Sequence, residues 1–344
     1  MNRRLLYAFL AVLLAVVLGA VWIARDMQRQ LHAPLTVTAR STLVVQAGAS
    51  LTAVSRQLVA NGWVSRPWYL NLAGRWQGVA TRIKAGEYAV EPGMTPLQLL
   101  QNLVQGKVIQ YSLTIPEGLN FREIMQLVET QPELRHTLPD YRPDTVMQAI
   151  GKPGQSPEGR FYPDTYHFPR GTTDVQFLRR AYQTMADVLA QEWQGRDTGL
   201  PYKTPYDALI MASIIEKETA VPAERGRIAG VFVRRLQRSM RLQTDPTVIY
   251  ALGEHYKGNI HKRDLALNSP YNTYLHAGLP PTPIAAPGRE SISAALHPDS
   301  GNELYFVARG DGSHYFSRTL EEHNRAVAKY QLNGSTRPQA TNHK

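Results

Sequence analysis

The chain has no cysteine among its 344 residues. That excludes disulfide frameworks, thiolate nucleophiles, cysteine-ligated zinc and iron–sulfur clusters. Ten histidines are present, but no HExxH or comparable spacing sets two of them on one helical face for a metal. There is also no Gly-x-Ser-x-Gly elbow and no glycine loop of the kind that cradles phosphate. The expectation is an activity with no metal and no other cofactor. Repeats and low-complexity segments are missing as well, until a polar tail at residues 334–344 that is expected to be disordered.

What is present is core material. Hydrophobic residues make up 43% of the chain and aromatic residues 9%, with 17 Tyr and 5 Trp. Such a composition suits a globular protein of two or three domains. Lys and Arg exceed Asp and Glu by 38 to 28, a net charge of +10. An excess of that size fits nucleic acid, anionic lipid or an acidic polymer.

Residues 5–24 are 20 consecutive uncharged, mostly apolar residues. As a helix they would span about 30 Å, the thickness of a bilayer's hydrocarbon core. Arg3 and Arg4 precede the run and Trp22 lies near its far end, which predicts a cytoplasmic N-terminus and an exported remainder. A cleaved signal peptide is the alternative. The run is long for an h-region, and Leu18-Gly19-Ala20 makes a poor cleavage site because Leu18 is bulky. Residues 1–25 therefore read as tail plus anchor in the inner membrane, and an exported domain seldom meets nucleic acid.

Residues 26–40 are polar and mixed, and read as a stalk. A small module follows at 41–110. It has a strand at Leu43-Val44-Val45, a helix capped by Ser50 and ended by Asn61-Gly62, and a second helix from Pro67. A returning strand at 86–90 precedes a helix opened by Thr95-Pro96 and closed by Gly106. The stretch from Val44 to Leu51 resembles the start of a LysM-like unit, a module type that binds N-acetylated glycans. A docking module without glycan affinity fits it equally. A larger mixed α+β domain occupies 111–333, starting with a strand at 112–115, the turn Pro116-Glu117-Gly118 and a helix from Phe121. The fold class expected is α+β throughout, behind a single transmembrane helix.

The densest chemistry lies between Thr204 and Tyr250. Thr204-Pro205 opens a helix whose residues 208–215 are apolar on every face, so that helix belongs inside its domain. It runs into Glu216-Lys217-Glu218-Thr219. At 100° per residue the two carboxylates point about 200° apart and cannot share one cleft. Either one, partly desolvated, would be a candidate general acid; a solvated, frayed helix end is the plain alternative. The next helix starts at Pro222 and carries Arg227, Arg234, Arg235 and Arg238 on its polar face, which reads as solvated surface. Gln243, Thr244 and Asp245 then offer hydrogen-bonding groups on one short segment, with Asp245 as a candidate N-cap. Glu158-Gly159-Arg160-Phe161-Tyr162-Pro163-Asp164-Thr165-Tyr166 mixes aromatics with polar groups, as a saccharide groove or an ordinary aromatic corner would. From Asn268 to Ile284 the chain is a stiff, Pro-rich loop.

Taken together, Glu216-Lys217-Glu218-Thr219, Arg241-Leu242-Gln243-Thr244-Asp245-Pro246-Thr247-Val248-Ile249-Tyr250, Tyr271-Asn272-Thr273-Tyr274 and Gly278-Leu279-Pro280-Pro281 resemble the YceG-like family, endolytic murein transglycosylases of the MltG type. Glu158-Gly159, Tyr162-Pro163-Asp164-Thr165 and His323-Asn324 match too, so the resemblance runs from about residue 40 to 330. Thr282 stands where the family usually has Gly, and Ala286 where a polar residue is common. The resemblance implies a lytic transglycosylase that cuts the MurNAc–GlcNAc bond of nascent peptidoglycan strands and terminates their growth. It implies Glu216 as the catalytic acid/base, Gln243, Asp245, Asn272 and Tyr274 as substrate-binding residues and Glu218 as a supporting group. It also implies penicillin-binding synthases as partners. A hydrolytic muramidase and a non-catalytic wall-binding scaffold are the competing functions. A muramidase would need a second carboxylate; a lytic transglycosylase needs only one.

Overall fold

The structure is a computed structural model that describes residues 3–332. The tail at 334–344 lies outside the described residues. The chain divides into two compact units, one of residues up to 111 with 167–171, the other of 112–166 with residues from 172 onward. The whole is mixed α+β, as expected.

The first unit opens with α1 (Arg3–His32), followed by β1 (Ser41–Val45), α2 (Leu51–Ala60), α3 (Pro67–Trp76), β2 (Gly86–Val90) and α4 (Pro96–Gln105). From Leu6 to His32, α1 is long and apolar enough to cross a membrane, and its apolar stretch is unburied. β1 and β2 pair antiparallel, with Ser41 opposite Val90 and Val45 opposite Gly86. Leu43, Val45, Tyr88 and Val90 thereby point into one core with Leu58 and Leu99. The caps are those the sequence offers. Ser50 accepts from the Ala53 N–H at 3.2 Å, Thr95 and Gln98 form a capping box, and Gly106 ends α4 in the left-handed conformation.

The stalk expected at 26–40 is not found. α1 continues to His32, and Met27, Leu31, Leu35 and Val37 are buried in the core of this unit. Four-residue spacing of apolar side chains among polar ones makes the end of α1 amphipathic, so it packs where a uniformly polar stalk would stay in water. Asp26 accepts from Arg66 at 2.6 Å and from the Tyr69 hydroxyl, which ties α1 to the start of α3.

After α4 come β3 (Tyr111–Thr114) and β4 (Thr165–Phe168), whose residues 111 and 167–168 fall in the first unit; the second holds the rest of both strands with α5 (Phe121–Glu129), α6 (Pro143–Ala149), α7 (Asp174–Gln194) and α8 (Pro205–Glu218). It continues with α9 (Arg225–Gln237), α10 (Asp245–Leu252), α11 (Arg289–Leu296), β5 (Tyr305–Ala308), β6 (His314–Ser317) and α12 (Leu320–Val327). β3 pairs with β4, and β5 with β6. α8 is the centre. Every residue from Ala208 to Ile215 is buried, among Met185 and Leu189 of α7, Ile228 and Phe232 of α9 and Ile292 and Leu296 of α11. The 21-residue α7 was not anticipated, although Thr173 and Gln176 cap it with a full capping box.

Of the basic face of α9, Arg227 and Arg238 are solvated as expected, but Arg234 and Arg235 are not. Arg235 is buried, and its guanidinium donates to the carbonyls of Leu304 (2.7 Å), Leu242 (2.7 Å) and Arg241 (3.3 Å). Arg234 reaches the Glu303 and Asp299 carbonyls at 2.8 and 3.0 Å. These arginines clamp loop carbonyls that have no ladder partner. Arg235→Met keeps the volume but strands three acceptors, two of them in buried contacts. It should destabilise this unit by about 3 kcal/mol, read as a lower urea midpoint of the detergent-solubilised protein; Arg235→Lys should recover only part of the loss.

Candidate active site

α8 ends in Glu216, Lys217 and Glu218, and the three side chains part. Glu216 Oε2 accepts from the Gly288 N–H at 3.0 Å, at the cap of α11. The Glu117 carboxylate lies over the same glycine. A Cβ on Gly288 would come within 1.8 Å of Glu117 Oε1, so a side chain there would push the Glu117 carboxylate aside. Burial, and then the negative charge of Glu216, hold the Glu117 pKa above the ordinary carboxylate value. Lys217 donates to the Gly118 carbonyl at 3.1 Å.

Glu218 turns the other way. Its Oε2 accepts from the Thr244 hydroxyl at 3.0 Å. Burial pushes its pKa up to about 7, with the Asp245 charge adding to the rise and the Thr244 bond opposing it. Glu218, Gln243, Asp245 and Tyr274 line one cavity of about 680 Å³, with His323 and Arg235 also on its walls. The Tyr274 hydroxyl donates to Asp245 Oδ1 at 2.6 Å. Asp245 is not the N-cap of α10; Thr244 holds that position, and the aspartate is free to meet Tyr274. Gln243 has a φ of 52°, an uncommon value for a side-chain-bearing residue, and its N–H donates to the Thr273 carbonyl at 3.2 Å. Thr273 further receives the Thr244 N–H at 3.1 Å and meets the Thr247 hydroxyl at 2.9 Å. The segment bearing Gln243 and Asp245 is thus pinned to the segment bearing Tyr274.

Asn272 joins them differently. It is fully buried, and its amide donates to the carbonyls of Leu265 (3.0 Å) and Leu267 (2.9 Å) while its oxygen accepts from the Tyr274 N–H at 3.0 Å. Its polar atoms serve the loop, and through it the position of Tyr274. Of the six residues named from sequence, four line the 680 Å³ cavity, Asn272 supports it from behind, and Glu216 faces Gly288.

A second cavity of about 720 Å³ shares Lys217, Pro246 and Ile249 with the first. On its wall is Glu158, 6% exposed, accepting from the Phe121 N–H at 2.9 Å and the Tyr250 hydroxyl at 2.8 Å. Burial pushes its pKa up to about 7 against the pull of those two bonds. Gly159 has a φ of 72°, and a Cβ there would lie 2.5 Å from Pro283 Cβ, so the glycine lets the proline loop close over this corner. The Thr282 and Tyr271 hydroxyls hydrogen-bond at 2.8 Å. Sequence reasoning singled out neither Glu117 nor Tyr250, placed Glu158 and Thr244 only within polar stretches, and took Arg235 for solvated surface. The adjacency of Glu158 and Glu117 to left-handed glycines was the available signal for two of them. Among the described residues no group of three or more His, Asp and Glu side chains is arranged to hold a metal ion.

Glu158 yields a pH prediction. Its folded-state pKa is raised, so its contribution to stability is fully present below pH 4.5 and is lost as pH climbs through 7. The whole swing is about 3 kcal/mol. Glu158→Gln should flatten stability between pH 5 and 8 and be the more stable form at pH 8, as read from urea midpoints across that range.

Comparison with known proteins places the chain in a family. Residues 43–329 match the profile of the YceG-like family. A Bacillus subtilis protein named endolytic murein transglycosylase is 32% identical over 303 residues, 83% of each chain. Two Streptococcus pneumoniae proteins of the same name are 28% identical over 84% of this chain, which spans only 58% of their length. The crystal structure of a YceG-like protein from Listeria monocytogenes aligns over 84% of this chain and 100% of its own, at 33% identity and a TM-score of 0.53. With five-sixths of its length matched by one profile, the chain belongs to the YceG-like family.

Proposed function

We propose that this chain cuts murein strands internally at the MurNAc–GlcNAc bond, leaves 1,6-anhydro ends, and uses Glu218 as both acid and base. That it is a lytic transglycosylase follows from its family and its named relatives; the product and the residue roles are the proposal. The observation that carries the roles is the Glu218 carboxyl, on a cavity wall with Gln243, Asp245 and Tyr274 and with a pKa near 7. An acid of that strength is still protonated in useful measure at neutral pH. The sequence expectation gave the proton transfer to Glu216 and support to Glu218. The geometry favours the exchange of those roles, because Glu216 is engaged by the Gly288 N–H and lines neither cavity.

In the proposed reaction Glu218 gives its proton to the glycosidic oxygen as the bond from muramic C1 to that oxygen breaks. The muramic C6 hydroxyl then attacks C1 and returns its proton to Glu218. One C–O bond is lost and one gained, no water is consumed, and the enzyme ends as it began. Tyr274 and Asp245 would hold sugar hydroxyls, Gln243 an N-acetyl group, and Asn272 would act by fixing Tyr274. The adjoining cavity at Glu158 would accept the strand on the other side of the cut.

The apolar α1 is consistent with a single-pass anchor. We read its N-terminus as cytoplasmic, the units after it as periplasmic, and murein synthases as neighbours in the inner membrane. The strand–helix–helix–strand order of residues 41–90 supports the LysM-like reading and a role in engaging glycan. Cutting by such an enzyme would end strand growth.

Glu218→Gln removes the transferable proton from both steps, so turnover should fall by at least the 10²–10⁴-fold typical of general acid–base catalysis. Glu216→Gln should cost far less. Mass analysis of the products should show ends one water lighter than hydrolysed ends; hydrolysed ends would make the enzyme a muramidase. A dead Glu216→Gln beside an active Glu218→Gln would return the role to Glu216. Thr244→Val removes the bond that holds the Glu218 carboxyl down. The alkaline limb of kcat/KM, expected near pH 7, should therefore move to higher pH; an unmoved limb would detach that limb from Glu218.

A further inference from the structure

α3 carries an apolar stripe that its own unit leaves uncovered. Trp68, Leu72 and Trp76 recur every four residues and share one face. They are 45%, 42% and 81% exposed, while Tyr69, Leu70 and Ala73 enter the core. Exposed apolar residues scattered singly are ordinary, but two tryptophans and a leucine aligned on a ten-residue helix form a patch of the kind that marks a binding surface. Arg75, one residue before Trp76, and Arg82, in the segment that follows α3, are exposed too.

What holds α3 indicates what covers it. Arg66 and Tyr69, at the start of the helix, both bond Asp26 of α1. Asp26 is the second residue beyond the 20-residue uncharged run, about 3 Å further along the helix than Ala24. α3 thus begins at the level where the apolar segment ends. Tryptophan favours that interfacial depth, and arginine side chains there meet anionic headgroups. We propose that the face of α3 bearing Trp68, Leu72 and Trp76 docks on the surface of the bilayer that α1 enters, with Arg75 and Arg82 against anionic lipid. The inference rests on reading α1 as a membrane span. It makes the first unit a membrane-seated base with a fixed face, where a single flexible tether would let it tumble.

The absence of cysteine makes the test direct. The full-length protein would carry one cysteine as L72C, W76C, L13C in the apolar run, or A186C at an exposed position of α7. Each would bear a nitroxide in vesicles of phosphatidylethanolamine and phosphatidylglycerol. Oxygen concentrates in hydrocarbon and a nickel chelate stays in water, so their relative access reports depth. L13C should read as hydrocarbon, and L72C and W76C should show an oxygen-to-nickel ratio several-fold above A186C. Replacing phosphatidylglycerol by phosphatidylcholine should lower the L72C and W76C ratios. If L13C is buried in lipid while L72C and W76C match A186C, the docking is overturned and the anchor stands. If L13C is aqueous, the anchor reading fails and the docking with it. Labels at 72 and 76 shielded from both reagents would mean a protein or glycan cover, which also overturns the proposal. Ratios indifferent to lipid charge would remove the arginines from it.

Discussion

The second unit depends on a helix that water does not reach. α8 is buried on all sides from Ala208 to Ile215, and then its last turn carries three charged residues. The charged end of that helix meets loops, with Lys217 exposed and Glu216 and Glu218 half-buried. Lys217 takes a carbonyl, Glu216 an N–H, and Glu218 a threonine hydroxyl. A single hydroxyl compensates a buried carboxylate less than water would, and the negative end of the helix dipole adds to the cost of charge there. The proton affinity of Glu218 follows from that shortfall.

The loops are in turn held by polar contacts that have nothing to do with regular structure. Ser213, buried in α8, accepts the Ile284 N–H at 3.0 Å and so seats the proline loop. The Gly118 N–H reaches the Ala286 carbonyl, and the Ala286 N–H the Leu119 carbonyl, which runs the loop beside the Glu117 turn. Arg235 gathers three carbonyls from the segments before α10 and β5. Its guanidinium lies over the Tyr305 ring, on which His323 stacks. The matched motif at His323 therefore belongs to the wall of the cavity that Glu218 and Asp245 line, brought there by α12, which the Thr319–Glu322 capping box opens.

Much of this was legible in the sequence because it is local. Hydrophobic spacing and capping residues place α2, α4, α5 and α8 within a residue or two, since Ser50, Thr95, Asn120 and Thr204 each satisfy the first turn's free N–H groups whatever surrounds them. An unbroken apolar run likewise defines α1 as a membrane-length helix. The all-round apolar pattern of α8 says that it is buried and that charges follow at its end.

The tertiary structure decided which partner each charge meets. Helix geometry sends Glu216 and Glu218 to opposite sides, but it does not say which side is the cavity; that depends on Thr244 and Gly288, which lie 26 and 72 residues further on. Arg235 reads as a solvated charge in its own helix, and only the carbonyls of Leu242 and Leu304 make it a buried clamp. The family resemblance implies Asn272 as a substrate-binding residue, and only the tertiary structure shows its amide donating to the carbonyls of Leu265 and Leu267. Residues 26–40 read as a polar stalk until a neighbouring core accepts Met27 and Leu31. In each case the chain's local chemistry was plain, and the meaning of the residue came from a partner that sequence spacing does not encode.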